Sequence, residues 1–183
     1  QARTFPHQRG KESSWQRHQF PIWGWAALLW LAASSMLAWT RFSWFEPFQP
    51  HTFTPLWLGY IGVVNALTVR RAGNSLLTRE PLRFAALFPL SALFWWFFEY
   101  LNRFVGNWQY VGIEDFSAPQ YTFFATLAFS TVLPAVASTA EWLGTFERLD
   151  AAFARWFPVC VPRPKLVAAV VLVATTLSLA GLG

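Results

Sequence analysis

Ile22 to Thr40 is a run of nineteen residues without a charge, and no other feature limits the possible folds so tightly. As α-helix it would be about 28 Å long, the thickness of a bilayer's hydrocarbon core. Similar runs recur at Thr54–Val69, Phe84–Leu101, Tyr121–Trp142 and Leu166–Leu182, interrupted only by Glu99 and Glu141. Lipid offers no water to bond backbone N–H and C=O groups, so segments that enter it must satisfy them internally, as helices do. The chain is therefore expected to be an all-α, polytopic membrane helical bundle of about five transmembrane helices. A signal peptide is the rival reading of the first run, since small residues follow a basic segment there. We expect a span instead, because the run is too long and too rich in Trp.

Composition agrees. Hydrophobic residues make up 55% of the 183 and charged residues 13%, about half the charge that coats a typical soluble domain. Twelve Trp and nineteen Phe suit a protein that meets membrane interfaces, where aromatic rings gather. One cysteine, Cys160, supports neither an internal disulfide framework nor a thiolate metal cage. The preference for Arg over Lys reads as a bacterial coding bias.

The loops carry the orientation. Residues 1–21 form a basic tail with Arg3, Arg9, Lys11 and Arg17, and Arg70, Arg71, Arg79 and Arg83 bracket the second loop on that side. Arg148, Arg155, Arg163 and Lys165 flank a third segment. Five alternating spans put these twelve cations on one side and leave Arg41 and Arg103 on the other. By the positive-inside rule the N-terminus is cytoplasmic, in what we expect to be a bacterial cytoplasmic membrane. This partition also accounts for the net charge of +5, so no nucleic-acid partner is called for. Within 145–157, Phe146, Leu149, Phe153, Trp156 and Phe157 share one helical face, and Glu147, Arg148, Asp150 and Arg155 share the other. That pattern predicts an amphipathic helix lying in the membrane interface.

Some positions read as packing. Gly59, Gly62 and Ala66 would let a neighbouring helix approach closely, and Asn65 among them needs a hydrogen-bond partner, either on another helix or in a ligand. Pro134, with Ser130 and Thr131, predicts a kink in the fourth span, because a proline cannot donate to the carbonyl four residues back.

The residues that draw attention to function follow the third span: Trp95, Trp96, Glu99, Asn102, Arg103, Asn107, Trp108 and Tyr110. A carboxylate at the edge of hydrocarbon needs a partner, water or a function. Arg103, four residues on, is the expected helical ion-pair partner. The cluster reads as a structural anchor, as a binding site for a lipid headgroup, a partner protein, a quinone or a carotenoid, or as a catalytic site. Glu141 ends its span on the opposite side, roughly 20 Å or more away across the core, and is expected to be a solvated helix end, so the two acids do not form an acid/base pair. His7, His18 and His51 all lie outside the spans, which leaves no paired intramembrane haem ligands. There is no HExxH, GxGxxG or P-loop motif, and no local base to activate a serine. The sequence thus assigns no catalytic residue, metal or cofactor; the leading reading is a membrane subunit or scaffold that packs against lipids and other membrane proteins.

Over Trp57–Trp142 the stretches WLGYIGVVNAL, RRAGNSLLTREP and FWWFFEYLNRFVGNWQYVG resemble a group of bacterial multi-pass membrane proteins with no assigned activity. That likeness implies a helical membrane fold and nothing about chemistry. Trp108 and Tyr110 also resemble the tryptophan-aromatic loop of the membrane-embedded lycopene cyclases. In those enzymes a proline is closely followed by paired acids, whereas here Pro134 is followed by AVASTAE. The departure removes the residues on which cyclisation would depend. Independently of that likeness, Glu99 beside a wall of aromatic rings suggests, as the rival to a subunit or scaffold, an enzyme acting on a lipid or isoprenoid.

Overall fold

A computed structural model describes residues 18–113, 116–149, 163, 165–167, 169, 170 and 173. Among them there is helix and no strand. In chain order the elements are α1 (Ile22–Trp39), a 3₁₀ segment (Ser43–His51), α2 (Phe53–Ala72), α3 (Leu76–Arg79), α4 (Pro81–Val105), α5 (Ala118–Ser130) and α6 (Val132–Gly144). Three helices are long and apolar enough to cross a membrane: α1, α4, and α5 with α6 taken as one. The number rises to four if the 3₁₀ segment and α2, bent by 71°, count together. α2 alone falls short because it carries Gly59, Gly62, Asn65 and Thr68 and ends on Arg70 and Arg71.

Local chemistry sets the boundaries. Gly73 and Gly106 take left-handed conformations, φ 82° and 60°, and close α2 and α4, the conformation glycine adopts without a Cβ penalty. Ser75 and Thr78 form a reciprocal cap on α3, and Ser117 with Gln120 does the same for α5. Proline at the first position of α4 removes an N–H that would have had no partner there. Before it, Glu80 is held below the usual carboxylate range by Arg83, at 2.5 Å, and then by Arg79.

α1 leans on α2 through a seam of small residues. A Cβ on Gly59 would lie 2.9 Å from the Leu31 Cα, one on Gly62 2.7 Å from the Ala27 Cβ, and one on Gly24 2.6 Å from the Ala66 Cβ. Each distance is too short for two carbons, so the approach depends on the missing side chains. The opposite side of α2 meets α6. There the buried Asn65 amide donates to the Ile61 carbonyl at 2.9 Å and to Ser138 Oγ at 2.8 Å, while its oxygen accepts from the Leu77 N–H at 3.3 Å.

The fourth expected span is two helices broken at Thr131. In a continuous helix the Leu133 N–H would donate to the Phe129 carbonyl; here Ser91 Oγ of α4 accepts from Leu133 at 3.0 Å and donates to Phe129 at 2.5 Å. Pro134, fully buried, leaves the Ser130 carbonyl without its helical donor. A hydroxyl inserted into the ladder beside a proline is a sufficient cause for the break.

Of the expected interfacial helix over 145–157, residues 147–149 are helical, Thr145 and Phe146 form the turn after α6, and 150–157 lie outside the described residues. Of the expected fifth span, residues 166, 167, 169, 170 and 173 are described and helical; the remainder is also outside them. The antiparallel run of α2, α4 and α5–α6 gives the molecule two unlike ends. Arg70, Arg71, Arg79, Arg83 and Arg148 belong to one, and Glu99, Trp108, Tyr110 and Tyr121 to the other.

Candidate functional site at the aromatic end

Glu99 stands one and a half turns before the end of α4. Gly106 then reverses the chain, and Asn102 holds the reversal: its amide donates to the Trp108 carbonyl at 2.8 Å and its oxygen accepts from the Trp108 N–H at 3.3 Å. This folds two side chains back over the acid. The Trp108 indole N–H donates to Glu99 Oε1 at 3.0 Å, and the Tyr110 hydroxyl donates to the same oxygen. Burial, and next the bond to Glu99, push the Tyr110 phenol up to about 12, because both disfavour a second negative charge there.

The expected Glu99–Arg103 pair does not form. Arg103 is exposed and makes no salt bridge among the described residues. Two donors brought back by the glycine turn already occupy the carboxylate, and an arginine free to reach water gains little from a surface ion pair. Asn107 is exposed on the turn. Trp96 acts as a tie between helices, donating from Nε1 to Thr126 Oγ1 of α5 at 3.0 Å. Trp95 faces Phe129 with ring centroids 5.9 Å apart.

Beside Trp95 and Tyr110 opens a cleft of about 390 Å³, walled by Phe53, Tyr121, Phe124 and Phe129. Its size and aromatic lining fall in the range of small-molecule sites. Sequence reasoning missed this cleft, along with His51, whose ring lies tilted against Phe124 with centroids 4.1 Å apart and meets Phe116 edge-on at 5.6 Å. His51 Nδ1 is buried without a hydrogen-bond partner among the described residues. No local pattern announces it, since the 3₁₀ segment brings His51 to α5 across more than seventy residues of chain.

Glu141 is also not the solvated end that was expected. Its side chain is 22% exposed; Oε2 accepts from the Leu76 N–H at 2.7 Å, and Oε1 from Arg79 Nη2 at 3.1 Å. The acid bonds the first N–H of α3 and fastens that turn to α6. Chemically, then, the aromatic end offers an apolar cleft and, beside it, the Glu99 carboxylate, whose Oε1 is bonded internally by Trp108 and Tyr110. No group of three or more His, Cys, Asp or Glu could hold a metal among the described residues.

The fold and site define an all-helical protein with three or four helices fitted to cross a membrane and an aromatic cleft at one end of them. Set against protein-family models, curated proteins and solved structures, the chain matches none.

Proposed function

We propose that this chain is a non-enzymatic subunit or scaffold of a bacterial cytoplasmic membrane, crossing it about five times with its N-terminus inside. One observation carries the reading: in α1, an apolar helix of eighteen residues, only 11% are buried within the protein. Trp25, Leu29, Trp30, Met36 and Trp39 are all more than half exposed, a surface that calls for lipid or a partner helix to cover it. The internal satisfaction of Glu99 agrees, because a carboxylate tied to Trp108 and Tyr110 serves the turn after α4 first. The gathering of arginines at one end supports the orientation. Mild-detergent extraction followed by cross-linking and copurification tests the proposal: a membrane partner should be recovered, and a chain that stays monomeric and partnerless would speak against it.

A second reading is favoured by the cleft. An isoprenoid, quinone or acyl chain would fit between Trp95, Phe124 and Phe129 with its polar end at Tyr110 and Glu99, as ligand or as substrate. Glu99→Gln should then alter membrane lipid or pigment content; unchanged content would remove this reading.

A further inference from the structure

A second cleft, of about 650 Å³, lies at the basic end, between the end of α2 and the chain that follows α6. Arg70, Arg71 and Arg148 line it together with Leu67, Trp142 and Glu147. Arg71 is fixed in place: Nε donates to Thr145 Oγ1 at 2.8 Å, Nη2 to the Thr145 carbonyl at 3.1 Å, and the guanidinium lies 3.8 Å from the Phe146 ring centroid. A purely structural role, answering the Thr145 hydroxyl and carbonyl at the end of α6, accounts for Arg71. It does not account for Arg70 and Arg148. Both are exposed, and neither side chain has a hydrogen-bond or salt-bridge partner among the described residues. Among the described residues, three cations against the one acid Glu147 leave the cleft positive. Leu67 and Trp142 give it an apolar wall beside the charges, and the Trp142 indole N–H is buried with no acceptor among the described residues.

We infer that this cleft binds a phosphate group, supplied by an anionic membrane lipid. Arg70 and Arg148 contact the phosphate, Arg71 presents a preset guanidinium behind them, and Leu67 with Trp142 lies along the start of the acyl region. Guanidinium suits phosphate because its donors pair with two oxygens at once. A tryptophan at headgroup depth is the usual interfacial placement. The inference uses the membrane reading only to name the source of the phosphate, and it does not depend on the aromatic cleft.

The test uses the full chain, delipidated in a nonionic detergent. Thermal stabilisation is titrated with phosphatidylglycerol, phosphatidylcholine or inorganic phosphate. Phosphatidylglycerol should stabilise the protein more than phosphatidylcholine does. The double variant Arg70→Gln with Arg148→Gln should bind phosphatidylglycerol about 30-fold more weakly, equivalent to about 2 kcal/mol at roughly 1 kcal/mol per arginine. The corresponding double lysine variant, which keeps the charge but not the paired donors, should bind with an affinity between those of the native chain and the double glutamine variant, and Arg83→Gln, on the same end but outside the cleft, should leave the affinity for phosphatidylglycerol unchanged. Stabilisation by inorganic phosphate alone, lost in the double glutamine variant, would sustain the phosphate site and assign it to a soluble anion. Equal response to the two lipids, or undiminished phosphatidylglycerol binding by the double glutamine variant, would overturn the inference.

Discussion

The Ser91 hydroxyl occupies the hydrogen bond that Leu133 would otherwise make within its own helix. One side chain of α4 therefore substitutes for a missing rung of the α5–α6 ladder. Ser91→Ala leaves the Phe129 carbonyl and the Leu133 N–H in an apolar surrounding without that bridge. A stability loss of about 1–3 kcal/mol is expected, read by unfolding in mixed micelles. No loss would mean that Pro134 alone maintains the break.

Tyr110 makes stability fall at high pH. Its folded pKa of about 12 lies above the usual tyrosine value near 10. The stabilisation linked to the protonated phenol is therefore complete below pH 10 and is lost as pH rises through 12. Tyr110→Phe should flatten that part of the melting-temperature profile relative to the native chain. Glu99→Gln should lower the Tyr110 pKa while leaving it above 10, because burial, the larger cause, remains; ultraviolet phenolate titration checks both.

The α1–α2 seam tolerates no side chain at Gly59, where the Leu31 backbone is the obstacle. Gly59→Val should cost about 1–3 kcal/mol through overpacking. Gly144→Ala, at a position with open space around its would-be Cβ, should be neutral or mildly stabilising in the same micellar unfolding assay.

Glu141 guards the amide of Leu76. Glu141→Ala should speed hydrogen exchange of that amide by about tenfold, equivalent to roughly 1.4 kcal/mol of local protection. Exchange of the α4 amides should be unaffected.

The membrane-length helices were legible because span length and hydropathy are local properties of sequence. Glycine spacing in α2 was legible for a similar reason: Gly59, Gly62 and Ala66 do meet α1. The helix they meet, and the contribution of Gly24 to it, were not, since the partner of a small-residue face lies elsewhere in the chain. Glu99 was legible as a group needing a partner, but Arg103 was the wrong partner. Helical spacing said nothing of the turn at Gly106, which carries Trp108 and Tyr110 back to the acid. Glu141 and His51 were misread or missed because their neighbours come from segments far apart in sequence, and apolar patterning does not encode which segments those are.

The arrangement of α1 has a consequence for synthesis. Among the described residues its contacts are made almost entirely with α2 and the 3₁₀ segment between them, so this part of the seam exists once residue 72 has left the ribosome. The α1–α2 hairpin can therefore close while α4 to α6 are still being translated, with Asn65 left to find Leu77 and Ser138 afterwards.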